Sequence, residues 1–269
     1  MESSVVMKKG IPGSTLKIIA ITTMFIDHIG AVIFERILTA NGFYLINMND
    51  AQSFSDFMDK NGTVFILDTV FRLIGRLGFP IFCFLLIEGF LHTRNVWKYA
   101  FRLFLFAIVS EVPFDLAFRS SMFSIGYQNV FFTLLMGLLA ITLIQMAEKK
   151  LSANKVLQYL LIVPITVVFM LIAGFLRCDY GSMGVLTIVI MYLFHKSRIW
   201  EMAGGCAVLT CMSLSEITAF IALIPVYKYN GERGLNLKYI FYAFYPVHLL
   251  LLYLITHFLG IADAFKIFF

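Results

Sequence analysis

Two ionisable residues, Asp27 and His28, stand side by side inside an apolar run, LKIIAITTMFIDHIGAVIFERIL, at residues 16–38. The run is long enough to cross a bilayer. A charged side chain near its middle costs about 3 kcal/mol on insertion scales and faces a bundle interior or an aqueous cavity. An imidazole in such a place can act as a general base on an acceptor or as an acyl-carrying nucleophile. Lys17 lies eleven residues before His28, about 16 Å along a helix. A cation at the membrane edge below an imidazole near mid-depth suits an elongated ligand with an anionic head and a reactive tail. Coenzyme A, with phosphates at one end and a thioester at the other, is such a ligand.

Adjacent residues on a helix do not face each other, so the partner of Asp27 is expected on another helix. Arg72 and Arg76 share a helix face four residues apart. Counted from Phe65, Arg76 reaches about 16 Å into the membrane, the depth expected of Asp27. The pair either sets the electrostatics of a site or only holds helices together. The segment FYAFYPVHLL places Tyr245, Pro246 and His248 mid-way into the last helix, where Pro246 opens the backbone ladder. His248 either assists the chemistry and binds the acceptor or is a hydrogen-bonded core histidine. Glu88 and His92, four apart, suit a folding role or a catalytic one.

Basic residues cluster separately. The loop YNGERG (229–234) carries Arg233 between Lys228 and Lys238, and Arg94 and Lys98 lie in another connection. Backbone donors in a glycine-rich turn with nearby cations suit phosphate, so Lys17, Arg94, Lys98, Arg233 and Lys238 are the candidate cofactor-binding set. In SEVPFDL, Glu111 and Asp115, followed by Asn129 and joined by Tyr245, could hold a cationic or hydroxylated acceptor; helix capping and a solvated rim are the alternative. Asp179, in CDYGSMG, is expected to cap the following helix.

The elements that must position these groups are helices. Hydrophobic residues make up 60% of the 269-residue chain and charged residues 14%, with 29 Phe, outside the range of a soluble domain. The ten-residue alternation of a transmembrane barrel is missing. The expected fold is an all-α, polytopic membrane bundle in a single domain, with about nine spans near 15–39, 65–91, 97–118, 129–147, 155–176, 180–195, 199–213, 214–229 and 237–260. The seventh and eighth are short of the ~20 residues a bilayer needs. Lys and Arg gather in alternate connections, which places the N-terminus in the cytoplasm, the C-terminus outside, and residues 41–64 in an extracytoplasmic loop. The first helix is expected to be retained, since it lacks a small-residue cleavage site. The formal charge of +5 is topological and implies no nucleic-acid partner. The four cysteines lack metal-type spacing and read as buried free thiols, with no metal.

Taken in order, MFIDHIG, RLIGRLGFPIFCFLLIEGFLHT, SEVPFDL, QNVFFTLLMG, DYGSMG, YNGERG and FYPVHLL resemble the TraX family of integral membrane proteins over almost the whole chain. The resemblance implies kinship with transmembrane acyltransferases, which take acetyl groups from cytoplasmic acetyl-CoA. In that class a first-helix histidine preceded by a basic residue eleven positions earlier is central, a spacing matched by Lys17 and His28. Those enzymes typically carry Arg there, so Lys17 puts only bidentate phosphate contact in question. The founding family member acetylates the N-terminus of pilin.

The expectation is therefore a bacterial cell-membrane acetyltransferase. Acetyl-CoA is the donor, and a peptide N-terminus or glycan at the membrane or outer face is the acceptor. The rival is a proton-coupled transporter using Asp27, His28 and Arg76 as a relay, and a membrane assembly factor without catalysis is the third reading.

Overall fold

A computed structural model of the chain describes residues 9–47, 49–236 and 238–268, and only the backbone of residues 238, 239, 267 and 268. Among the described residues the structure is an all-α bundle, interrupted only by two single-residue bridge pairs, Ile11–Tyr229 and Gln128–Cys178. Five helical stretches are long and apolar enough to cross a membrane: 13–40, 51–92, 130–150, 155–175 and 240–258. Their outer faces are apolar, as at Val163, Leu171 and Leu251, so the chain is a helical membrane protein.

The first stretch is α1 (Gly13–Ile29), a π-helical turn at Gly30–Phe34, and α2 (Glu35–Ala40). The wider turn begins two residues after His28; such insertions re-aim the side chains around them. The second stretch is broken. Helix α3 (Ala51–Gly75) ends in a short turn at Arg76–Leu77, and α4 (Gly78–His92) continues from it. A side chain at Gly75 would collide with the Asp27 carboxylate, so α1 and α3 cross as closely as glycine permits. Pro80 sits in the first turn of α4, where a missing N–H costs no helix bond.

Residues 51–64, expected as part of a loop, are the first half of α3. Polar residues such as Asp56, Asp59 and Asn61 mask a helix there from an apolar-run reading. Its cap is Asp50, which accepts from the Gln52 N–H at 3.1 Å.

Asparagines start the next helices by the same device. Asn95 caps α5 (Val96–Arg119), Asn129 caps α6 (Val130–Lys150) and Asn154 caps α7 (Lys155–Phe175). Helix α8 (Gly181–Leu193) follows a left-handed Tyr180, with no side-chain cap. Asp179 is therefore not the expected cap; it accepts from the Tyr127 hydroxyl at 2.6 Å and the Tyr180 N–H at 3.0 Å.

The short seventh and eighth segments form one hairpin. Helix α9 (Arg198–Met212) packs against a 3-10 turn at Leu214–Ala222, which leads through α10 (Leu223–Tyr227) back to the starting level. Fifteen residues of α9 rise about 22 Å, short of a bilayer core. Helix α11 (Lys238–Phe258) crosses last and packs on α5 and α1.

Residues 228–234 dock on the start of α1: Gly13 N–H donates to the Glu232 carbonyl at 2.7 Å, and Ser14 N–H to that of Arg233 at 3.0 Å. Arg198 donates to the Tyr229 carbonyl at the same level. This end of the bundle gathers Lys17, Arg198, Lys228 and Arg233 and is called the cationic end below.

Candidate active site

Lys17, Ile21, Met24 and His28 are spaced by four, three and four residues and so form one stripe on α1. The first three line a cavity of about 540 Å³ that opens at the cationic end. Around it stand Arg102 of α5, Arg233 and Asn236 of the loop, and Glu88 and His92 of α4. Farther along the stripe the walls are apolar, from Phe82, Leu85, Leu134 and Phe131. The Lys17 ammonium lies 5.4 Å from the Phe241 ring centroid. The Arg102 Nε–H is buried and has no partner, an unsatisfied cationic donor of the kind an anionic ligand would complete.

At the inner end of the stripe, His28 Nδ1 faces His248 Nε2 at 2.6 Å, with the rings 4.9 Å apart and 5° from parallel. Both are nearly enclosed, 8% and 3% exposed. On its other side, His248 Nδ1 lies 2.7 Å from the Phe244 carbonyl. A carbonyl only accepts, so that nitrogen carries a proton. With both rings neutral, His248 Nε2 then accepts, His28 Nδ1 donates, and His28 Nε2 is left with its lone pair. Pro246, between the two residues on α11, occupies a helical position without an N–H of its own. Phe118 and Tyr245 meet the His28 ring edge-on at 5.5 and 6.1 Å.

The two rings flanking His28 belong to different cavities. Tyr245 lines the one at the cationic end. Phe118 lines a second, also about 540 Å³, with Glu35, Thr39, Phe43, Phe65, Asp68, Tyr127 and Phe265. The imidazole pair thus lies between two cavities approached from different elements.

Asp27, a helical step round from His28, turns to α3. Its Oδ2 accepts from Arg72 Nη1 at 2.6 Å, and Arg72 Nε also meets Glu35 at 3.3 Å. Arg76 instead pairs with Glu216 at 3.0 Å, at the tip of the α9 hairpin, where Glu216 is 1% exposed. The expected Asp27–Arg76 pair is therefore replaced by Asp27–Arg72. Arg76 directly follows the last residue of α3, its N–H still bonded to the Arg72 carbonyl at 3.3 Å, and the α9 hairpin brings Glu216 within its reach.

The family profile described as TraX protein matches residues 12–256. The chain belongs to the TraX family. It is also similar to a probable fimbrial assembly protein FimC, serogroup H1, of Dichelobacter nodosus, 29% identical over 226 residues that cover 72% of this chain and 88% of the relative. No solved structure matches the chain.

In this TraX chain the expected site residues separate into two groups. His28, His248, Tyr245, Lys17 and Arg233 converge on or beside the cationic-end cavity. Arg94 and Lys98 do not line it; both are exposed, and Lys98 borders a shallow surface depression with Trp97 and Phe101. Arg102, one turn after Lys98, takes the inward position, and the spacing of four from Lys98 was the only sequence signal for it. The side chain of Lys238 lies outside the described residues.

Glu111, Asp115 and Asn129 make contacts within the bundle, and Glu111 Oε1 and Asp115 Oδ1 are buried without a partner among the described residues. Asn129 is fully buried; its amide donates to the Ala107 carbonyl at 2.8 Å and to Glu111, and its carbonyl oxygen caps the Phe131 N–H at 3.0 Å. Asp115, 1% exposed, accepts from the Ser124 N–H at 2.7 Å. The capping alternative describes Asn129, whereas Asp115 ties the turn that follows α5. Among functional residues missed by sequence reasoning, Arg72 was weighed against Arg76, whereas Glu35 and Asp68 carried no signal beyond lying in apolar surroundings. Glu88 stays at the cavity mouth, where the Tyr229 hydroxyl approaches it at 3.5 Å and His92 at 3.8 Å.

Proposed function

We propose that this TraX-family chain is an integral membrane acyltransferase that moves an acetyl group from cytoplasmic acetyl-CoA to an amine or hydroxyl acceptor. The observation that carries it is the His28–His248 pair just beyond Met24 and Tyr245, which line a cavity whose mouth is cationic. Lys17, Arg102 and Arg233 would hold the phosphates, the unpartnered Arg102 Nε–H being a donor that fits them. The donor supplies a thioester carbonyl activated toward nucleophiles.

The residues then have defined tasks. His28 Nε2 takes the acceptor's N–H or O–H proton as the acceptor forms its bond to the carbonyl carbon. The bond from that carbon to sulfur breaks, and His28 returns the proton to the departing thiolate, so the products are acylated acceptor and free thiol. His248 holds the His28 ring in the tautomer that leaves Nε2 free, and the Phe244 carbonyl holds His248. Closed apolar walls keep water from the thioester. The second cavity, beside Phe118, supplies the acceptor's approach, and the name of the fimbrial relative suits the N-terminus of a surface subunit as that acceptor.

On this reading the cationic end, and with it the N-terminus, faces the cytoplasm of a bacterial cell, which the excess of Lys and Arg there supports, and α11 ends on the outer side. Transfer of labelled acetyl groups by vesicles containing the parent chain, and its loss in His28→Ala, is the test; full transfer by His28→Ala would exclude this mechanism. A proton-coupled transporter is the second reading, favoured by the buried Arg72 and Arg76 ion pairs. It requires uptake driven by a pH gradient and no heat of binding with CoA.

A further inference from the structure

The cationic-end cavity does not run freely into the imidazole pair. Its inner end is formed by Met24, one turn before His28, and by Val130, Phe131 and Tyr245. Tyr245 is 3% exposed and stands edge-on to His28 and His248 at 6.1 and 5.6 Å on one side. On the other side Phe131 meets it at 5.0 Å. Val130, at the start of α6, lines the cavity beside it. The ring is thus packed between α1, through His28, and α6, through Phe131.

We propose that Tyr245, backed by Phe131, is the specificity-determining stop of this cavity and restricts the transferred group to a short acyl chain. The inference rests on the acyl-thioester reading above and adds which thioesters the site admits. A ligand that enters past Lys17 and lies along Ile21 and Met24 meets the Tyr245 ring at the level of His28. On this reading a two-carbon acyl group ends against that ring, which also meets the two imidazoles. A six-carbon chain must displace a packed aromatic ring or fold back on itself, and overfilling a packed site is resisted by the neighbours that hold it.

Calorimetry of the full chain in detergent, titrated with free CoA, acetyl-CoA and hexanoyl-CoA, tests it. In the parent, hexanoyl-CoA is expected to bind about tenfold or more weakly than acetyl-CoA. Tyr245→Ala should bring the two to within about threefold of each other, while Tyr245→Phe keeps the ring and the preference. Unchanged affinity for free CoA shows that each variant is folded. If Tyr245→Ala does not fold, Phe131→Leu shortens the backing ring and should narrow the preference part-way. Equal binding of both thioesters by the parent, or an undiminished preference in the truncated variants, overturns the proposal while leaving the donor reading intact. No heat with any CoA species in the parent overturns both.

Discussion

His28 Nδ1 and His248 Nε2 meet at 2.6 Å although 220 residues of chain separate them. The Phe244 carbonyl at 2.7 Å from His248 Nδ1 sets the direction of the whole chain of hydrogen bonds. Of the four ring nitrogens, His28 Nε2 alone is left as a free lone pair when both rings are neutral.

That direction makes the two histidines unequal. His28→Ala removes the base and should lower transfer by about 10²–10⁴-fold. His248→Ala leaves the base but frees its ring, so a loss of about 10–10²-fold with little change in KM for the donor is expected. His248→Gln, whose amide oxygen can accept from His28 Nδ1, should recover part of that loss. Steady-state kinetics in proteoliposomes separates the three, and equal losses in His28→Ala and His248→Ala with no recovery in His248→Gln would contradict the assigned roles.

Phosphate binding is expected to divide the basic residues sharply. Lys17→Ala, Arg102→Ala and Arg233→Ala should each weaken CoA by about tenfold, the loss of one charge-assisted contact. Arg94→Ala and Lys98→Ala, outside the cavity, should leave it within about twofold. Titration of each variant with free CoA decides this, and equal losses in both sets would indicate a diffuse surface charge rather than a built mouth.

The Asp27–Arg72 pair predicts non-additive stability. Arg72→Ala alone leaves Asp27 and Glu35 uncompensated in a largely closed site and should destabilise the chain by about 3–5 kcal/mol. Asp27→Ala in the same chain should recover a substantial part of the loss. Arg76→Ala strands Glu216, its direct partner, so Asp27→Ala should offset its loss less than it offsets that of Arg72→Ala. Denaturant unfolding in mixed micelles of the single and double variants measures the coupling.

Close crossing of α1 and α3 predicts that Gly75→Ala destabilises by about 1–3 kcal/mol through the collision with Asp27. Combining it with Asp27→Gly should relieve most of the clash, because the added methyl would collide with the Asp27 Cβ itself, which Asp27→Ala would keep. Thermal unfolding of the pair of variants checks it, and a neutral Gly75→Ala would mean that the helices stand farther apart.

Asp179 lies in the connection between α7 and α8, and burial pushes its carboxyl up from the ordinary value of 3.8 despite the Tyr127 hydroxyl and nearby arginines that favour its charge. A raised folded-state value means that the folded chain holds this proton more tightly than the unfolded chain. Its contribution to stability is therefore greatest at low pH and declines as pH rises from about 3.8 through the folded-state value. Asp179→Asn keeps an acceptor for Tyr127 and removes this decline, so the difference between parent and variant unfolding curves should grow with pH in that window.

The linear chain determined the class of the molecule, because apolar run length and the placement of Lys and Arg are local properties. It also determined the Lys17-to-His28 stripe, since helix geometry turns a spacing of eleven residues into one face, and it marked His248 by its depth beside Pro246. What local periodicity does not contain is which face of one helix meets which face of another. Arg72 rather than Arg76 pairs with Asp27, while the α9 hairpin sets Glu216 against Arg76, a contact between segments far apart in the chain. Arg102 rather than Arg94 or Lys98 enters the cavity because α5 packs against α11 on that face. Asn129 and Glu111 close on each other, since α5 and α6 meet there. The contact between the two imidazoles belongs to tertiary structure alone: α1 and α11 are brought side by side by the packing of all the helices between them.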